Sequence, residues 1–163
     1  MKKFIFTLIA AFIMISGADA FSINIDPPSV WISPAPNTSH SGTIIVENRG
    51  EEDLAIRSYS EDWVFASDRS KEFKKAGTTP LSCSNWISIY PKNFTLWPGK
   101  SQQVQYTVTI PPEASGGYNS VIFFESNVES PAGSSSSRVI LAGRIGSIIY
   151  ANVKGRSNKA ASV

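Results

Sequence analysis

Hydrophobic and polar residues alternate in short runs from Phe21 onward, and Pro, Gly, Asn and Ser separate the runs. Alternation with a period of two predicts β-strands that turn one face to the core and the other to water. The clearest run spans residues 103–110, where the apolar positions are Val104, Tyr106, Val108 and Ile110. No stretch keeps apolar residues at the i, i+3, i+4, i+7 spacing of an amphipathic helix. The pattern predicts an all-β chain.

The breaks between these runs predict seven to nine strands, which favours a single immunoglobulin-like β-sandwich. The expected strands cover residues 22–32, 42–48, 54–65, 86–90, 94–96, 103–110, 118–126 and 138–153. Pro27 and Pro28 interrupt the first of them. Because proline cannot donate a hydrogen bond to a ladder, we expect an edge strand that switches sheets at this proline pair. Residues 66–84, rich in Lys, Ser, Thr and Gly, predict a loop.

The closing strand, residues 138–153, is apolar on both faces and long for a strand. One face carries Val139, Leu141, Ile145, Ile149 and Val153; the other carries Ile140, Ala142, Ile148 and Tyr150. Either the first strand and loops cover the second apolar face, or an edge is left where a partner adds a strand. Under the second interpretation the candidate partner-binding residues are Val139, Leu141, Arg144, Ile145 and Ile149.

The first twenty residues have the organisation of an export signal. Lys2 and Lys3 form a basic start, an apolar run of twelve residues follows, and Ala18-Asp19-Ala20 is a small-x-small cleavage site. We therefore expect cleavage between Ala20 and Phe21 and a periplasmic or secreted protein. The alternative is an uncleaved anchor, but twelve apolar residues fall short of the ~20 that span a bilayer.

Charge and composition exclude several function classes. Removing residues 1–20 takes away Lys2, Lys3 and Asp19, which leaves 13 basic and 12 acidic side chains and a net charge of +1. A near-neutral chain gives no support for nucleic-acid binding or for a polybasic membrane patch. No stable membrane anchor is expected in the mature chain.

Catalytic and metal-binding residue types are scarce. Cys83 is the only cysteine and His40 the only histidine, so an intrachain disulfide and a structural zinc site are excluded. A Cys83–His40 nucleophilic pair is the one catalytic alternative, although both residues lie in predicted loops without a local signature. The Glu51-Glu52-Asp53 run is typical of a solvated turn. We predict no enzyme, no cofactor, no metal and no small-molecule substrate.

Most aromatic side chains fall within predicted strands, where a sandwich needs bulky core residues. Those expected in the core are Trp63, Trp86, Phe94, Tyr106, Phe123 and Phe124. Trp31 and Trp97 instead lie beside prolines at strand ends and are the candidates for exposure. They either anchor loops or stack on a carbohydrate or peptide.

The run WISIYPKNFTLWPGKSQQVQ, residues 86–105, resembles the amino-terminal domain of periplasmic pilus-assembly chaperones of the PapD-like immunoglobulin fold. The matching positions are Pro91, Phe94, Leu96, Pro98 and Gly99. The upstream run ENRGEEDLAIRSYSEDW is similar to the second and third strands of that domain, and RIGSIIYANV to its closing strand. The resemblance implies a protein partner such as a fimbrial or other envelope subunit, bound by strand pairing.

Two departures from that family limit what the resemblance implies. Its chaperones grip the pilin's terminal carboxylate with an Arg and a Lys, and the matching positions here are Ser29 and Ser147. They also carry a second sandwich, for which this chain leaves no room. We therefore predict a binding domain, residues 21–154, followed by a tail, residues 155–163. The alternative is a structural stalk or the amino-terminal part of a longer two-domain envelope protein.

Overall fold

The computed structural model describes residues 22–129 and 140–155, with only the backbone given for residues 127–129 and 140–142. The predicted signal peptide, its cleavage site at Ala20 and Phe21, and the predicted tail after Gly155 lie outside these residues. Within them, no helix is long and apolar enough to cross a membrane. The ten strands are β1 (Ile23–Asp26), β2 (Ser29–Ile32), β3 (Ser39–Asn48), β4 (Leu54–Phe65), β5 (Lys71–Lys74), β6 (Ile87–Tyr90), β7 (Asn93–Leu96), β8 (Ser101–Thr109), β9 (Gly116–Glu129) and β10 (Ile140–Val153).

The strands form two sheets that face each other, as the sequence predicts for an immunoglobulin-like sandwich. The first sheet has the order β1-β3-β8-β6 and is antiparallel throughout. The second has the order β2-β10-β9-β4-β5, and β7 also pairs with β4. All its pairings are antiparallel except that of β2 with β10, which is parallel.

The core lies between the two sheets and is built from the inward faces of the alternating strands. The predicted apolar face of β8 is buried, from Val104 to Val108, together with Ile110. The second sheet contributes Leu54, Ile56, Ile122, Phe124, Ile149, Ala151 and Val153. Full burial of a Val, Leu, Ile or Phe side chain stabilises the folded state by about 1.5–3 kcal/mol. This burial, and not a disulfide, holds the two sheets together.

The chain changes sheets at Pro27 and Pro28, as the sequence predicts. β1 pairs with β3 in the first sheet, whereas β2 pairs with β10 in the second. Ile25 and Ile32 nevertheless point into the same core. The expectation of seven to nine strands is close to the ten observed, because the proline pair splits the first strand and β5 is added.

The predicted loop at residues 66–84 is more structured than its composition indicates. Residues 71–74 form β5, which pairs with residues 62–65 at the end of β4. All four side chains of β5 are exposed, so the segment carries no apolar alternation that could have predicted a strand. A 3-10 turn, Ser84–Trp86, then leads into β6.

The buried carboxylate of Asp62 fixes the segment that follows β5. It accepts hydrogen bonds from the main-chain N–H groups of Gly77, Thr78 and Thr79, at 3.1, 2.8 and 2.8 Å. The hydroxyls of Ser82 and Ser84 donate to it as well. Burial alone would raise the pKa of Asp62, but these hydrogen bonds to the ionised form lower it to about 2.

This depressed pKa predicts an acid-sensitive contribution to stability. Because an unfolded Asp titrates near 3.9, the stabilisation is fully present above about pH 5 and is lost as the pH falls towards 2. The difference corresponds to about 2 kcal/mol. Chemical denaturation of the wild type and of Asp62→Asn from pH 7 to pH 2 should show a flatter profile for the variant. Asp53→Asn removes an exposed carboxylate and should leave the wild-type slope; equal slopes for all three proteins would contradict the prediction.

Candidate functional site

β10 is bordered unequally on its two sides. β9 pairs with it along its whole length, from Ile140 opposite Glu129 to Val153 opposite Gly116. On the other side, β2 covers only residues 148–151. No other described strand lies beside residues 140–147 on that side. We call this side of residues 140–147 the open edge.

The main-chain groups at the open edge follow from the alternation along the strand. The N–H of Ile148 donates to Pro28 at 3.1 Å and that of Lys154 to Pro34 at 2.9 Å, both on the β2 side. Since N–H and C=O groups of alternate residues point to the same side of a strand, those of Ala142, Arg144 and Gly146 face the open edge.

The five candidate partner-binding residues occupy different environments. Ile149 is 0% exposed in the core, and Ile145 packs against the same core while remaining half-buried. Arg144 is exposed on the opposite face of the sheet. The side chain of Leu141 and all of Val139 lie outside the described residues. A role for these residues in partner binding stays a prediction, and the burial of Ile149 between β9 and β2 argues against a direct contact by its side chain.

Arg144 contacts residues of two other strands on the outer face of the second sheet. Its guanidinium lies 3.1 Å from Glu61, across β9 on β4, and 3.4 Å from the hydroxyl of Tyr59. It also lies over the ring of Phe123, 4.2 Å from the centroid. The hydrogen bond with Tyr59 and the charge of Glu61 raise the pKa of Arg144. Gly146 allows a close approach of the neighbouring strand, since a Cβ there would sit 2.6 Å from Val121 and 2.9 Å from the Phe123 ring.

A second apolar cluster covers this outer face. Trp63, Val121 and Phe123 are buried there, with Tyr59, Ile148 and Tyr150 partly buried against them. Trp31 stacks on Tyr150 with the ring centroids 4.0 Å apart. On the second apolar face of β10, Ile148 and Tyr150 are partly buried in this cluster, in the direction of the first interpretation, whereas the side chains of Ile140 and Ala142 lie outside the described residues. No described strand pairs with residues 140–147 on the β2 side.

The two aromatic residues that the sequence marks for exposure are exposed, and Phe65 and Tyr90, which it does not mark, are exposed as well. Trp31 is 73% and Trp97 59% exposed. Of the predicted core aromatics, Tyr106 and Phe124 lie in the main core, and Trp86 and Phe94 pack partly buried against it. Trp63 and Phe123 are buried in the outer cluster.

The positions matched to a carboxylate-gripping pair carry hydroxyls. The Ser147 hydroxyl donates to the carbonyl of Pro27 at 2.8 Å and is buried. Ser29 lies opposite Ile148 in the neighbouring strand. Arg144 projects to the outer face and is engaged with Glu61, so it does not replace the missing cation.

The Cys83–His40 pair does not form an activated nucleophile. Cys83 is 0% exposed in the core, whereas His40 is exposed on β3 opposite Val108. Burial, with the nearby charge of Asp62, raises the pKa of Cys83 to about 12. Among the described residues, no three His, Cys, Asp or Glu side chains are grouped so that they could hold a metal ion.

The burial of Cys83 predicts a thiol that does not react in the native protein. With a pKa of about 12, only about one thiol in 10⁴ is ionised at pH 8, so a disulfide reagent should label Cys83 at the rate of unfolding. In denaturant, labelling should be complete at once. The exposed thiol introduced by Ser101→Cys in a Cys83→Ser background is the control. Native Cys83 reacting as fast as that control would contradict the prediction.

Comparison with solved structures identifies the fold of this chain. No family model matches the chain, and no curated protein matches it. Solved structures do match, at low sequence identity. A Salmonella enterica complex of the SafA pilin with the SafB chaperone gives a TM-score of 0.56 at 13% identity, covering 84% of this chain and 57% of that one. The E. coli chaperone DraB gives 0.54 at 17% identity, covering 86% and 61%.

A third match is a single domain. PapD-like domain 7 of human CEP192 gives a TM-score of 0.51 at 14% identity, covering 88% of this chain and 93% of that one. The chain thus spans about three fifths of the length of the fimbrial chaperone structures but nearly all of an isolated domain. It has the fold of a single PapD-like immunoglobulin-like domain, as its sequence predicts.

Proposed function

We propose that this chain is an exported protein-binding module of the cell envelope, which binds its partner by strand pairing. The observation that carries the proposal is the open edge of β10, where the ladder with β2 stops at Ile148. A strand placed there would pair with the main chain of Ala142, Arg144 and Gly146. Eight residues of strand correspond to about 26 Å of ladder.

The physical basis is that main-chain hydrogen bonds supply affinity and alternate side chains supply specificity. A partner strand beside β10 extends the second sheet, so half of its side chains would enter the sandwich beside Ile145. That residue is half-buried and packs against the core, which leaves apolar surface for an incoming side chain. The other half would lie on the outer face beside Arg144.

The partner we propose is a fimbrial or other envelope subunit. The structurally similar SafB is a chaperone in complex with a pilin, and CsuC forms a pre-assembly complex with the tip subunit CsuE. The predicted signal peptide would deliver this chain to the periplasm or the exterior. We do not propose carboxylate capture, because Ser29 and Ser147 carry no charge. We do not propose an enzymatic activity either.

A second candidate is a structural stalk, or the amino-terminal domain of a longer two-domain protein. It is favoured by the partial coverage of the chaperone structures, 57% and 61%. Reading the DNA downstream of the gene for a second sandwich tests it.

The proposed edge is tested at Ala142, whose N–H faces the open side. Ala142→Pro removes that donor without touching the ladder with β9, while Ala142→Val retains it. Co-purification from an envelope extract should recover the same partner with the wild type and with Ala142→Val. Ala142→Pro should weaken binding at least tenfold, with an unfolding free energy within about 1 kcal/mol of that of Ala142→Val. Equal partner recovery by the two folded variants would rule out strand pairing at this edge.

A further inference from the structure

The opposite border of the second sheet contains a gap. On the side of β4 away from β9, β7 pairs with residues 54–57 and β5 with residues 62–65. No described strand pairs with residues 58–61 on that side. The gap opens into a cleft of about 590 Å³. Four residues of strand correspond to about 13 Å, so the gap has room for a short extended segment.

One main-chain donor and acceptor pair faces this gap. The N–H of Ser58 donates to Lys92 at 2.7 Å, which shows that even-numbered residues of β4 point their main-chain groups to this side. Ser60 therefore points its N–H and C=O the same way, and no hydrogen bond from a described turn or loop reaches them. The Ser60 hydroxyl is used on the inner side, where it donates to Ser84 at 3.1 Å.

The cleft concentrates positive charge on a chain whose net charge is only +2. One acidic side chain, Glu61, lines the cleft. The five basic side chains that line it are Arg57, Lys74, Lys75, Lys92 and Arg144. Three of these cations already have a carboxylate partner: Arg144 pairs with Glu61 at 3.1 Å, Arg57 with Glu125 at 3.2 Å, and Lys74 with Glu72. In residues 22–126 and 143–155, no carboxylate lies within 4.0 Å of the ammonium groups of Lys75 or Lys92.

The cleft also offers aromatic surface between the cations. Tyr59 and Phe73 line it, and the guanidinium of Arg57 lies 4.8 Å from the centroid of the Tyr59 ring. That of Arg144 lies 5.3 Å from the Phe73 centroid. A ligand that alternates acidic and apolar groups would match these cations and rings in turn.

We propose that this cleft is a second peptide-binding site, which accepts a short acidic segment of a partner protein as a strand beside Ser60 of β4. The positive charge selects carboxylates, and the main chain of Ser60 selects a peptide over a simple anion. This site is separate from the open edge of β10, and neither proposal depends on the other.

The test is titration of the nitrogen-15-labelled chain with the blocked peptide acetyl-Glu-Val-Glu-Val-Glu-amide, followed by NMR. We expect saturable shifts of the amides of Ser60, Lys75 and Lys92. The Lys75→Glu/Lys92→Glu variant should weaken binding at least tenfold. Lys100→Glu/Lys154→Glu changes the net charge equally at exposed positions elsewhere and should change binding less than twofold. The same peptide with Lys in place of Glu should not bind.

Three outcomes would overturn the proposal. One is equal weakening by both charge-reversed variants, which would indicate long-range attraction only. Another is a set of shifts at Ala142, Arg144 and Gly146 in place of Ser60, which would put the peptide at the other edge. The third is reproduction of all the shifts by inorganic phosphate at the same charge concentration. If Lys75→Glu/Lys92→Glu fails to fold, Lys75→Gln/Lys92→Gln gives the same decision.

Discussion

Proline has no main-chain N–H, so it cannot donate to a strand ladder. The successive prolines Pro27 and Pro28 therefore determine where the β2 border of the second sheet begins. Residues before the pair belong to one sheet and residues after it to the other, so both β1 and β2 can fill one core. The same absence of donors stops the β2–β10 ladder at Ile148. β10 has eight residues before that point, and no other described strand pairs with them on this side.

The alternation of residue types predicts the main core well. A strand that is buried on one face needs apolar residues at every second position, and this period is visible in the sequence. It predicts the inward face of β8, the bounds of β4 and the sheet switch at the proline pair. It does not predict β5, whose four side chains are exposed and show no apolar alternation, because this strand is held by main-chain pairing with β4 and by contacts on the outer face such as Phe73 with Phe123. Nor does it find the Asp62 cradle, because its donors are main-chain and hydroxyl groups of ordinary turn residues.

At the candidate site, too, the sequence predicts the apolar side chains but not the main-chain arrangement. The sequence identifies β10 as the strand with two apolar faces. Of the side chains described on these faces, Ile149 is buried in the core, and Ile148 and Tyr150 are partly buried in the outer cluster. What remains open is backbone, which side-chain patterns do not report. Arg144 was a candidate for partner contact, but its position over Phe123 and beside Glu61 depends on a neighbouring strand whose register the sequence alone does not give.

Arg144 also relates the two borders of the second sheet. It belongs to β10 by its main chain, which faces the open edge, and to the basic cleft on β4 by its side chain. There its guanidinium pairs with Glu61, the one acidic side chain among the cleft-lining residues, while five basic side chains give the lining its positive charge. A strand added beside β10 would restrain the backbone of Arg144 and thereby hold its guanidinium over Phe123. The two proposed sites share the side chain of Arg144 but use the main chains of different strands, β10 and β4, and neither requires the other.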